Sequence, residues 1–384
     1  MENTLYFDHA ATTPMHPDVI QAMTVAMEQH YGNASSIYEL GRESKGLLEE
    51  ARLVLAKSIN AHPKEIIFTS GGTESDNIAI LQTAEKLKEQ GKHIITTSIE
   101  HPAVREPLMY LERNGFDVTF LPVNKDGCVT VEQVKEAIRE DTILVSIIYG
   151  NNEIGSIMPI QEIGEMLASQ ERKIVFHTDA VQAYGTETID VKDQHIDLLS
   201  VSSHKINGPK GIGFIYINQS LALPGLLRGG EQENKKRAGT ENIPAIVGFK
   251  KAVEIRQEEK EKNRTLYSEL KKKTLQSLND YGIPYEVNGS IDNSLPHILS
   301  LRFPGVPADK LLIHLDLAHI AVSIGSACSA GNVDPSLVLT ALYDENHPAI
   351  TETIRVSFGM NNHTEQIEEL VKNIKKAVAF LSQN

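Results

Sequence analysis

The chain reads Asp197-Leu-Leu-Ser-Val-Ser-Ser-His-Lys205-Ile-Asn-Gly-Pro-Lys-Gly-Ile-Gly-Phe214, and this stretch decides the fold class. Leu198, Leu199 and Val201 among its first six residues predict a buried strand, which brings two hydroxyls, an imidazole and a lysine to its carboxyl end. A turn rich in proline and glycine follows, and the apolar run Ile212–Ile217 predicts the next strand. The spacing of Gly211 and Gly213 does not fit a dinucleotide-binding fingerprint.

Similar apolar runs come before this stretch, and amphipathic segments separate them. From about residue 50 onward there are seven such runs, namely Ile66–Ser70, His93–Thr97, Val118–Pro122, Ile143–Tyr149, Ile174–Thr178, Asp197–Ser202 and Ile212–Ile217. This alternation predicts an α/β fold with a mainly parallel sheet that helices cover on both faces. Because ligands of such sheets bind beyond the carboxyl ends of the strands, chemistry is expected in the segments after these runs.

The remainder of the chain predicts a smaller α/β unit. A highly charged stretch at 244–280 predicts one or two solvent-facing helices that leave the large unit. Strand candidates follow at Ile298–Phe303, Ile320–Ile324 and Ile354–Phe358, and a last helix is expected with Thr364 as its cap. The 384 residues are enough for one domain of roughly 250 residues and a smaller one.

The composition argues against several classes of protein. A formal net charge of -14 disfavours a broad surface for nucleic acid or anionic membranes. Residues 1–20 lack the features of a signal peptide, and no apolar run approaches the ~20 residues that cross a bilayer. Two cysteines, Cys128 and Cys328, make neither a disulfide framework nor a cysteine-rich zinc site. We therefore expect a cytoplasmic protein with reduced thiols.

Lys205 and Asp179 are the first candidates for chemistry. A lysine at a strand end can form a Schiff base with pyridoxal phosphate, while Ser202 and His204 hydrogen-bond the phosphate. Asp179 ends a neighbouring run, where its carboxylate can pair with the pyridine nitrogen, and Gln182 can donate to the phenolic oxygen. Considered alone, Lys205 is typical of a solvated lysine, and Asp179 is typical of a helix cap or turn. Their occurrence together at the ends of two neighbouring predicted strands favours a cofactor site.

Three further segments offer hydrogen-bond donors and a nucleophile. Around Gly72 and Thr73 a strand ends and a helix begins, which suits a phosphate or is simply a capped helix start. Arg355 alternates with apolar neighbours on a predicted strand, where its planar fork suits a carboxylate or faces water at a sheet edge. Cys328 lies among small residues in a predicted loop and is expected to be an exposed, mobile thiol, whereas Cys128 has no assigned role.

Ordered matches along nearly the whole chain carry a resemblance to a known family. They are Tyr6-Phe-Asp8-His-Ala-Ala-Thr-Thr-Pro14, Gly32-Asn33-Ala-Ser-Ser36, Ser70-Gly-Gly-Thr-Glu-Ser-Asp-Asn77, Glu100-His101, Asn151-Asn152-Glu-Ile-Gly155, Arg237-Ala-Gly-Thr240, Gly325-Ser-Ala-Cys328 and Ile354-Arg355-Val-Ser-Phe-Gly359, with the segments around Asp179 and Lys205. The chain thereby resembles the cysteine desulfurases of the IscS/NifS family, fold type I pyridoxal-phosphate enzymes that are similar to class-V aminotransferases. The resemblance implies a large domain at 15–260 with a seven-stranded sheet, a small domain from 1–14 and 261–384, and a homodimer with sites near the interface.

The resemblance also implies a role for each matching residue. Lys205 would form the Schiff base and remove the α-proton, His101 would stack on the ring and relay protons, and the Cys328 thiolate would take the sulfur of L-cysteine as a persulfide, releasing alanine. The cofactor would be held by Gly72, Thr73, His101, Asp179, Gln182, Ser202, His204, Lys205 and, from the partner subunit, Thr240, and the substrate would be bound by Asn33, Asn152 and Arg355. An acceptor protein would then receive the sulfur for iron–sulfur cluster, tRNA-thiolation or cofactor biosynthesis.

Other functions stay open on the same residues. Selenocysteine lyase or cysteine-sulfinate desulfinase would use the same scaffold, and an essential Cys328 would favour the desulfurase. An aminotransferase has no need of the Cys328 loop, and a non-catalytic sulfur-relay scaffold has no need of a complete cofactor site. A metal site made from His101, His177 and His204 has no ligand spacing to support it.

Overall fold

The computed structural model describes residues 4–325 and 335–382 of the chain. Within those ranges the strands are, in chain order, β1 (Leu5–Tyr6), β2 (Ile66–Thr69), β3 (His93–Thr97), β4 (Asp117–Leu121), β5 (Thr142–Ser146), β6 (Val175–Asp179), β7 (Leu198–Ser202), β8 (Gly213–Ile217), β9 (Glu286–Val287), β10 (Ile298–Arg302), β11 (Ile320–Ala321) and β12 (Thr353–Ser357). The α-helices of the same ranges are α1 (Pro17–Gln29), α2 (Glu39–Lys57), α3 (Gly72–Asn77), α4 (Thr83–Leu87), α5 (Pro102–Arg113), α6 (Val131–Ala137), α7 (Ile160–Ala168), α8 (Ile243–Glu258), α9 (Lys260–Asp280), α10 (Ala308–Leu317), α11 (Leu337–Leu342), α12 (Ala349–Glu352) and α13 (Thr364–Leu381).

The central sheet has seven strands in the order β2-β8-β7-β6-β5-β3-β4. From β7 to β4 every neighbouring pair is parallel. Among these seven strands β8 alone runs in the opposite direction, antiparallel to its neighbours β2 and β7. Each of the seven predicted apolar runs coincides with one of these strands, and the prediction of a mainly parallel α/β sheet is confirmed.

Helices bury this sheet on both faces. Phe176 and Phe214 belong to the core on one side, where Phe249 of α8 stacks on Phe214 with ring centroids 5.9 Å apart. Leu198 of β7 and Ile215 of β8 belong to the core on the other side together with apolar residues of α5. Because both faces are covered, β3, β5, β6, β7 and β8 are buried at every residue, the polar ones included.

A second core surrounds a smaller antiparallel sheet with the strand order β12-β10-β9. Ile367, Leu370 and Ile374 of α13 pack into this core, and α9 contributes Tyr267 and Leu270. β1 pairs in parallel with β11, which joins the beginning of the chain to the same region. The chain passes from the first core to the second where α8 ends and α9 begins, at Glu259.

The expected helix cap at Thr364 is wrong by one residue. His363 caps α13, because its backbone is extended with φ -132° and ψ 157°, whereas Thr364 is already helical. The backbone N–H of His363 donates to the side chain of Gln366 at 3.1 Å, which satisfies a donor that the helix itself cannot pair. Thr364, which precedes the periodic apolar residues, therefore predicted the first turn of α13 correctly but not the residue that caps it.

A buried ion pair holds the 3₁₀ turn Gln232–Lys235 against the central sheet. Glu233 and Asn234 have left-handed backbones, with φ of 48° and 56°, which residues other than glycine rarely adopt. The Glu233 carboxylate accepts hydrogen bonds of 2.8 and 2.7 Å from the two Nη atoms of Arg52 and one of 2.8 Å from the Phe68 amide. These three contacts keep the turn in its unusual shape.

In the part of the chain that the structure describes, no helix combines the length and the apolar character needed to cross a membrane.

Candidate active site

A cleft opens at the edge of the central sheet where the parallel strands have their carboxyl ends. The space within it, including the part that is open to solvent, is about 520 Å³. The residues that line it are Gly72, Thr73, Asp76, His101, Ile148, Gly150, Asn152, Asp179, Val181, Gln182, Ser202, His204 and Lys205. Nine of the residues predicted from the sequence are in this set, so the structure brings most of the predicted site together.

The strand order explains why Asp179 and Lys205 meet. β6 and β7 are parallel neighbours, and their register pairs Asp179 with Ser200. Ser202 ends β7, and Lys205 lies in the 3₁₀ turn that follows it. Since parallel strands carry their carboxyl ends to the same edge, residues 26 positions apart in this sequence share one cleft.

Lys205 and Gln182 both donate to the beginning of the chain. Lys205 Nζ donates to Ala10 O at 2.5 Å and to Ala11 O at 2.9 Å, and Gln182 Nε2 donates to Ala10 O at 2.7 Å. Because only the nitrogen of an amide donates, the last contact determines which way the Gln182 amide faces. Gln182 Oε1 points to His297 Nε2 at 3.4 Å, and one N–H of Nε2 remains for another acceptor.

The turn before α3 brings backbone close to the cleft. Gly71 caps α3 with φ 151°, which an L side chain rarely adopts. A Cβ on Gly72 would lie 2.7 Å from Val181 Cγ2, so only glycine fits there without a shift. The first amides of a helix have no acceptor within the helix, so those of Gly72 and Thr73 are suited to an anion. A π-helical turn, Ile78–Gln82, continues α3 into α4.

His101 caps α5 and also lines the cleft. Its Nδ1 accepts a hydrogen bond of 3.1 Å from the Ala103 amide, so the ring proton of the neutral form lies on Nε2. Burial lowers the pKa of His101, Asp179 raises it and Lys205 lowers it further. The cap contact orients the ring of His101.

His204 is also held as a neutral imidazole. Burial lowers its pKa to about 4, and the positive charges of Lys205 and Lys210 act in the same direction. Its Nδ1 lies 3.1 Å from Thr12 Oγ1. With the Thr12 hydroxyl donating to Nδ1, the Nε2–H of His204 is a donor for a phosphate oxygen.

Three buried carboxyl groups, of Asp76, Glu100 and Asp179, lie in or beside the cleft. Burial raises the pKa of all three, to about 8 for Glu100, and the charge of Asp179 raises the pKa of Asp76 further. Of these three, Asp179 is the carboxyl that His101 and Lys205 oppose with positive charge. Asp179 is therefore the group of the three best placed to be an anion.

Asp76 and Glu100 are not among the residues predicted from the sequence, although their positions carried a signal. Asp76 is four residues after Gly72 on α3 and so lies on the same helix face, one turn further on. Glu100 directly precedes His101. Its Oε1 accepts hydrogen bonds from Thr97 Oγ1 at 2.6 Å and from the Ile148 amide at 2.9 Å. Glu100 thereby links β3 to the segment after β5.

His177 lies in the middle of β6, entirely buried. Its Nδ1 is 2.8 Å from Ser146 Oγ and its Nε2 is 3.1 Å from Ser200 Oγ, so it joins three neighbouring strands. Burial lowers its pKa to about 3, so the ring is neutral. Within residues 4–325 and 335–382, no group of three or more His, Cys, Asp or Glu side chains could hold a metal ion.

Arg355 is not among the residues that line the cleft, but it contacts Asn152, which does line it. Nη1 donates to Asn152 O and Nη2 donates to Asp8 Oδ1, both at 2.8 Å, while Nε is buried without a hydrogen-bond partner. Ile354 and Val356 face the second core, as the alternation predicts. Arg355 is 3% exposed, which excludes the alternative of an arginine in water at a sheet edge.

The structure does not bring the remaining predicted residues into the cleft. Asn33, between α1 and α2, and Thr240, before α8, are exposed and do not line it. Cys328 lies outside the described residues. Cys128 is buried, its Sγ is 3.4 Å from Ile157 O, and burial raises the pKa of its thiol to about 11.

The donor set of the cleft fits pyridoxal phosphate. Lys205 supplies an amine and Asp179 a buried carboxylate at the neighbouring strand end. Ser202, His204 and the α3 amides supply neutral donors for a phosphate, and the glycine at position 72 leaves room against Val181. An aromatic nitrogen heterocycle with an aldehyde and a phosphate uses each of these groups.

Comparisons with known proteins find similarity over nearly the whole chain. Residues 5–370 match the family model described as aminotransferase class-V. The chain is 52% identical over 378 residues to the IscS 1 protein of Bacillus subtilis (strain 168), covering 98% of this chain and 99% of that protein. It is 45% identical over 379 residues to a protein of Methanosarcina thermophila named cysteine desulfurase IscS, covering 98% and 92%. A solved structure described as a NifS-like protein has a TM-score of 0.92 at 34% identity, covering 98% of this chain and 100% of that one.

Proposed function

We propose how the reaction is divided among the residues of this chain, which belongs to the aminotransferase class-V family and is a pyridoxal-phosphate-dependent cysteine desulfurase. The proposal depends on one observation, the convergence of Lys205, Asp179 and His101 on a single cleft. Pyridoxal phosphate supplies an electron sink for the electron pair that remains on the substrate when its α-proton leaves. Every other task is assigned to side chains of the protein.

Lys205, Asp179 and Gln182 anchor the cofactor in this proposal. Lys205 Nζ is its covalent attachment point, and the Asp179 carboxylate holds the proton of the pyridine nitrogen. The pKa directions support this division, because His101 and Lys205 favour the ionised form of Asp179. Gln182 donates its remaining N–H to the phenolic oxygen, and Gly72, Thr73, Ser202 and His204 donate to the phosphate.

Asn152 and Arg355 recognise the carboxylate of L-cysteine. Asn152 lines the cleft, and the Arg355 guanidinium is oriented by Asp8 and by the Asn152 carbonyl. Guanidinium carries five N–H donors in a plane, so donors remain after these two contacts. Asn33 completes the substrate site in this proposal, although it is exposed in the single chain.

Lys205 and His101 handle the protons. Lys205 Nζ removes the α-proton of the substrate and returns a proton to the product, while His101 Nε2 carries the proton that accompanies the sulfur step. His101 suits this task because its cap contact leaves Nε2 directed away from the helix amides. Its lowered pKa keeps the ring neutral until it accepts a proton.

The Cys328 thiolate receives the sulfur. Its Sγ forms a bond to the sulfur of L-cysteine as the bond from that sulfur to the substrate's β-carbon breaks, and the electron pair stays with the carbon fragment. Protonation of that fragment gives L-alanine, and Cys328 becomes a persulfide. Cys128 is unsuited to the task, because a thiol with a pKa of about 11 is almost entirely protonated near neutral pH.

The experiment compares the two cysteines. Alanine released from L-cysteine by the yellow holoenzyme is measured for the wild type, for Cys328→Ser and, as a matched control, for Cys128→Ser. We expect the control to retain activity and Cys328→Ser to fall to background, and mass spectrometry of the wild type to find one extra sulfur on the peptide with Cys328. Lys205→Ala should lose both the visible absorption and the alanine.

Other outcomes would redirect the assignment. Equal alanine from Cys328→Ser and the wild type would remove Cys328 from the sulfur step. Retained turnover of selenocysteine or cysteine sulfinate in that variant would favour a lyase or desulfinase on the same scaffold.

The proposal extends to domains and partners. Residues 15–260 form the large domain, and residues 1–14 with 261–384 form the small one. Two copies form a homodimer, in which the exposed Thr240 reaches the cofactor phosphate of the partner subunit. The persulfide passes in the cytoplasm to an acceptor protein for iron–sulfur cluster, tRNA-thiolation or cofactor biosynthesis. A solved structure at 35% identity, described as SspA in complex with cysteine, supports L-cysteine as the substrate.

A further inference from the structure

His297 is a buried histidine that lies outside the cleft but contacts a residue within it. It directly precedes β10, and 8% of its surface is exposed. Its Nε2 lies 3.4 Å from Gln182 Oε1, while its Nδ1 is buried without a hydrogen-bond partner. The imidazole of His297 thus contacts the side-chain amide of Gln182. In the proposed function this amide faces the cofactor's phenolic oxygen.

The contact determines where the proton of His297 lies. Gln182 Nε2 donates to Ala10 O, so the end of the amide that faces His297 is the oxygen, which only accepts. His297 Nε2 must therefore carry the hydrogen, and Nδ1 is the unprotonated nitrogen. This tautomer explains why Nδ1 needs no acceptor beside it.

The surroundings of His297 keep the ring neutral. Burial lowers its pKa to about 3, and the nearby positive charges act in the same direction. The titratable groups that face it are His9, Lys205, Arg256 and Lys271, and the ring of Tyr267 packs against it at a centroid distance of 6.0 Å. None of these groups is a carboxylate, so nothing among them favours the imidazolium form.

We propose that His297 is the positioning residue of Gln182, holding the amide so that its second N–H points at the cofactor's phenolic oxygen. The inference rests on the proposed role of Gln182. Two contacts at opposite ends of the amide, with His297 at Oε1 and Ala10 at Nε2, fix its plane. Without the His297 contact, the Gln182 amide would be held only by its hydrogen bond to Ala10 O and could rotate about it. The second N–H of Nε2 would then no longer be directed at the phenolic oxygen. Donation to Oε1 also polarises the amide and strengthens its N–H as a donor.

The visible absorption of the bound cofactor reports this geometry directly. A donor on the phenolic oxygen stabilises the negative charge there, which lowers the pH midpoint of the absorption change. We would titrate the holoenzymes of the wild type, His297→Leu, His297→Gln, Gln182→Leu and the double variant. Glutamine at position 297 keeps an N–H near the place of Nε2, whereas leucine keeps only the volume.

We expect Gln182→Leu and His297→Leu to raise the midpoint, the latter by about 0.5–1 pH unit, which is the effect of a single neutral hydrogen bond on an ionisation. His297→Gln should restore the wild-type midpoint. In the Gln182→Leu background, His297→Leu should have no further effect. His9→Leu is the matched control, because His9 is a second buried histidine of this region that makes no hydrogen bond to Gln182, and it should leave the midpoint unchanged.

Different results would refute the role of Gln182 and the role of His297. An unchanged midpoint in Gln182→Leu would refute the proposed role of Gln182 itself. A shift in Gln182→Leu without one in His297→Leu would refute the positioning role alone. An equal shift in His9→Leu, or an additive shift in the double variant, would also overturn it, because a general packing effect would then account for the change.

Discussion

Replacing Glu100 by glutamine removes a titrating group from beside the cleft while keeping the size of the side chain. Glu100 is 4% exposed, its Oε1 accepts hydrogen bonds from Thr97 and from the Ile148 amide, and its Oε2 has no hydrogen-bond partner. Glutamine can accept both hydrogen bonds at the same oxygen. The substitution therefore tests the protonation of Glu100 with little change in packing.

The magnitude follows from the pKa of Glu100, which burial raises from 4.5 to about 8. The folded protein binds this proton more tightly than the unfolded chain does. The stability that the proton contributes is complete below pH 4.5 and is lost as the pH rises to about 8. Since one pKa unit corresponds to about 1.4 kcal/mol, the loss approaches about 5 kcal/mol above that pH.

Urea unfolding of the holoenzymes across a series of pH values measures this effect. Wild type and Glu100→Gln should have similar free energies of unfolding near the acid end, and the variant should become more stable by several kcal/mol at the alkaline end. Glu112→Gln, an exposed change on α5, is the matched control and should give a difference that does not vary with pH. A constant difference between wild type and Glu100→Gln would refute the reasoning, because Glu100 would then titrate alike in both states.

Two further predictions concern packing. Glu233→Gln should lower the free energy of unfolding by about 3–5 kcal/mol in urea titrations, because it removes the buried counter-charge of the Arg52 guanidinium and leaves only the half-exposed carboxylate of Glu49; a loss below about 1 kcal/mol would mean that Glu49 or water compensates the charge. Gly72→Ala should weaken cofactor binding in equilibrium dialysis, because its Cβ would lie 2.7 Å from Val181 Cγ2. Gly46→Ala, where a Cβ would meet nothing within 4 Å, is the control and should bind as the wild type does.

The sequence was sufficient for the central sheet and for the residues at its strand ends. His93–Thr97 was predicted with the bounds that β3 has, because a short run around Ile94 and Ile95 with β-branched threonines after it stands out between amphipathic segments. Asp179 and Lys205 could be placed together because parallel strands carry their ends to one edge. Both inferences use only local composition and a general rule of topology.

Contacts between distant polar residues could not be predicted in this way. Arg52 and Glu233 are 181 residues apart, and a single charged side chain in a helix or a turn has no periodicity that marks it as buried. The same holds for His297, which precedes a predicted strand without any local sign that its ring turns to Gln182. Such pairs are set by tertiary packing, which hydrophobic patterning constrains only coarsely.

The beginning of the chain has a consequence for how the protein is made. Phe7 O accepts a hydrogen bond of 2.8 Å from the Ser357 amide, and Asp8 binds Arg355, 347 residues away. Ala10 O, between these contacts and the cleft, receives Lys205 and Gln182. A ribosome therefore has to synthesise β12 before Phe7 and Asp8 can make these contacts. Nascent chains arrested before β12 should remain colourless in the presence of pyridoxal phosphate.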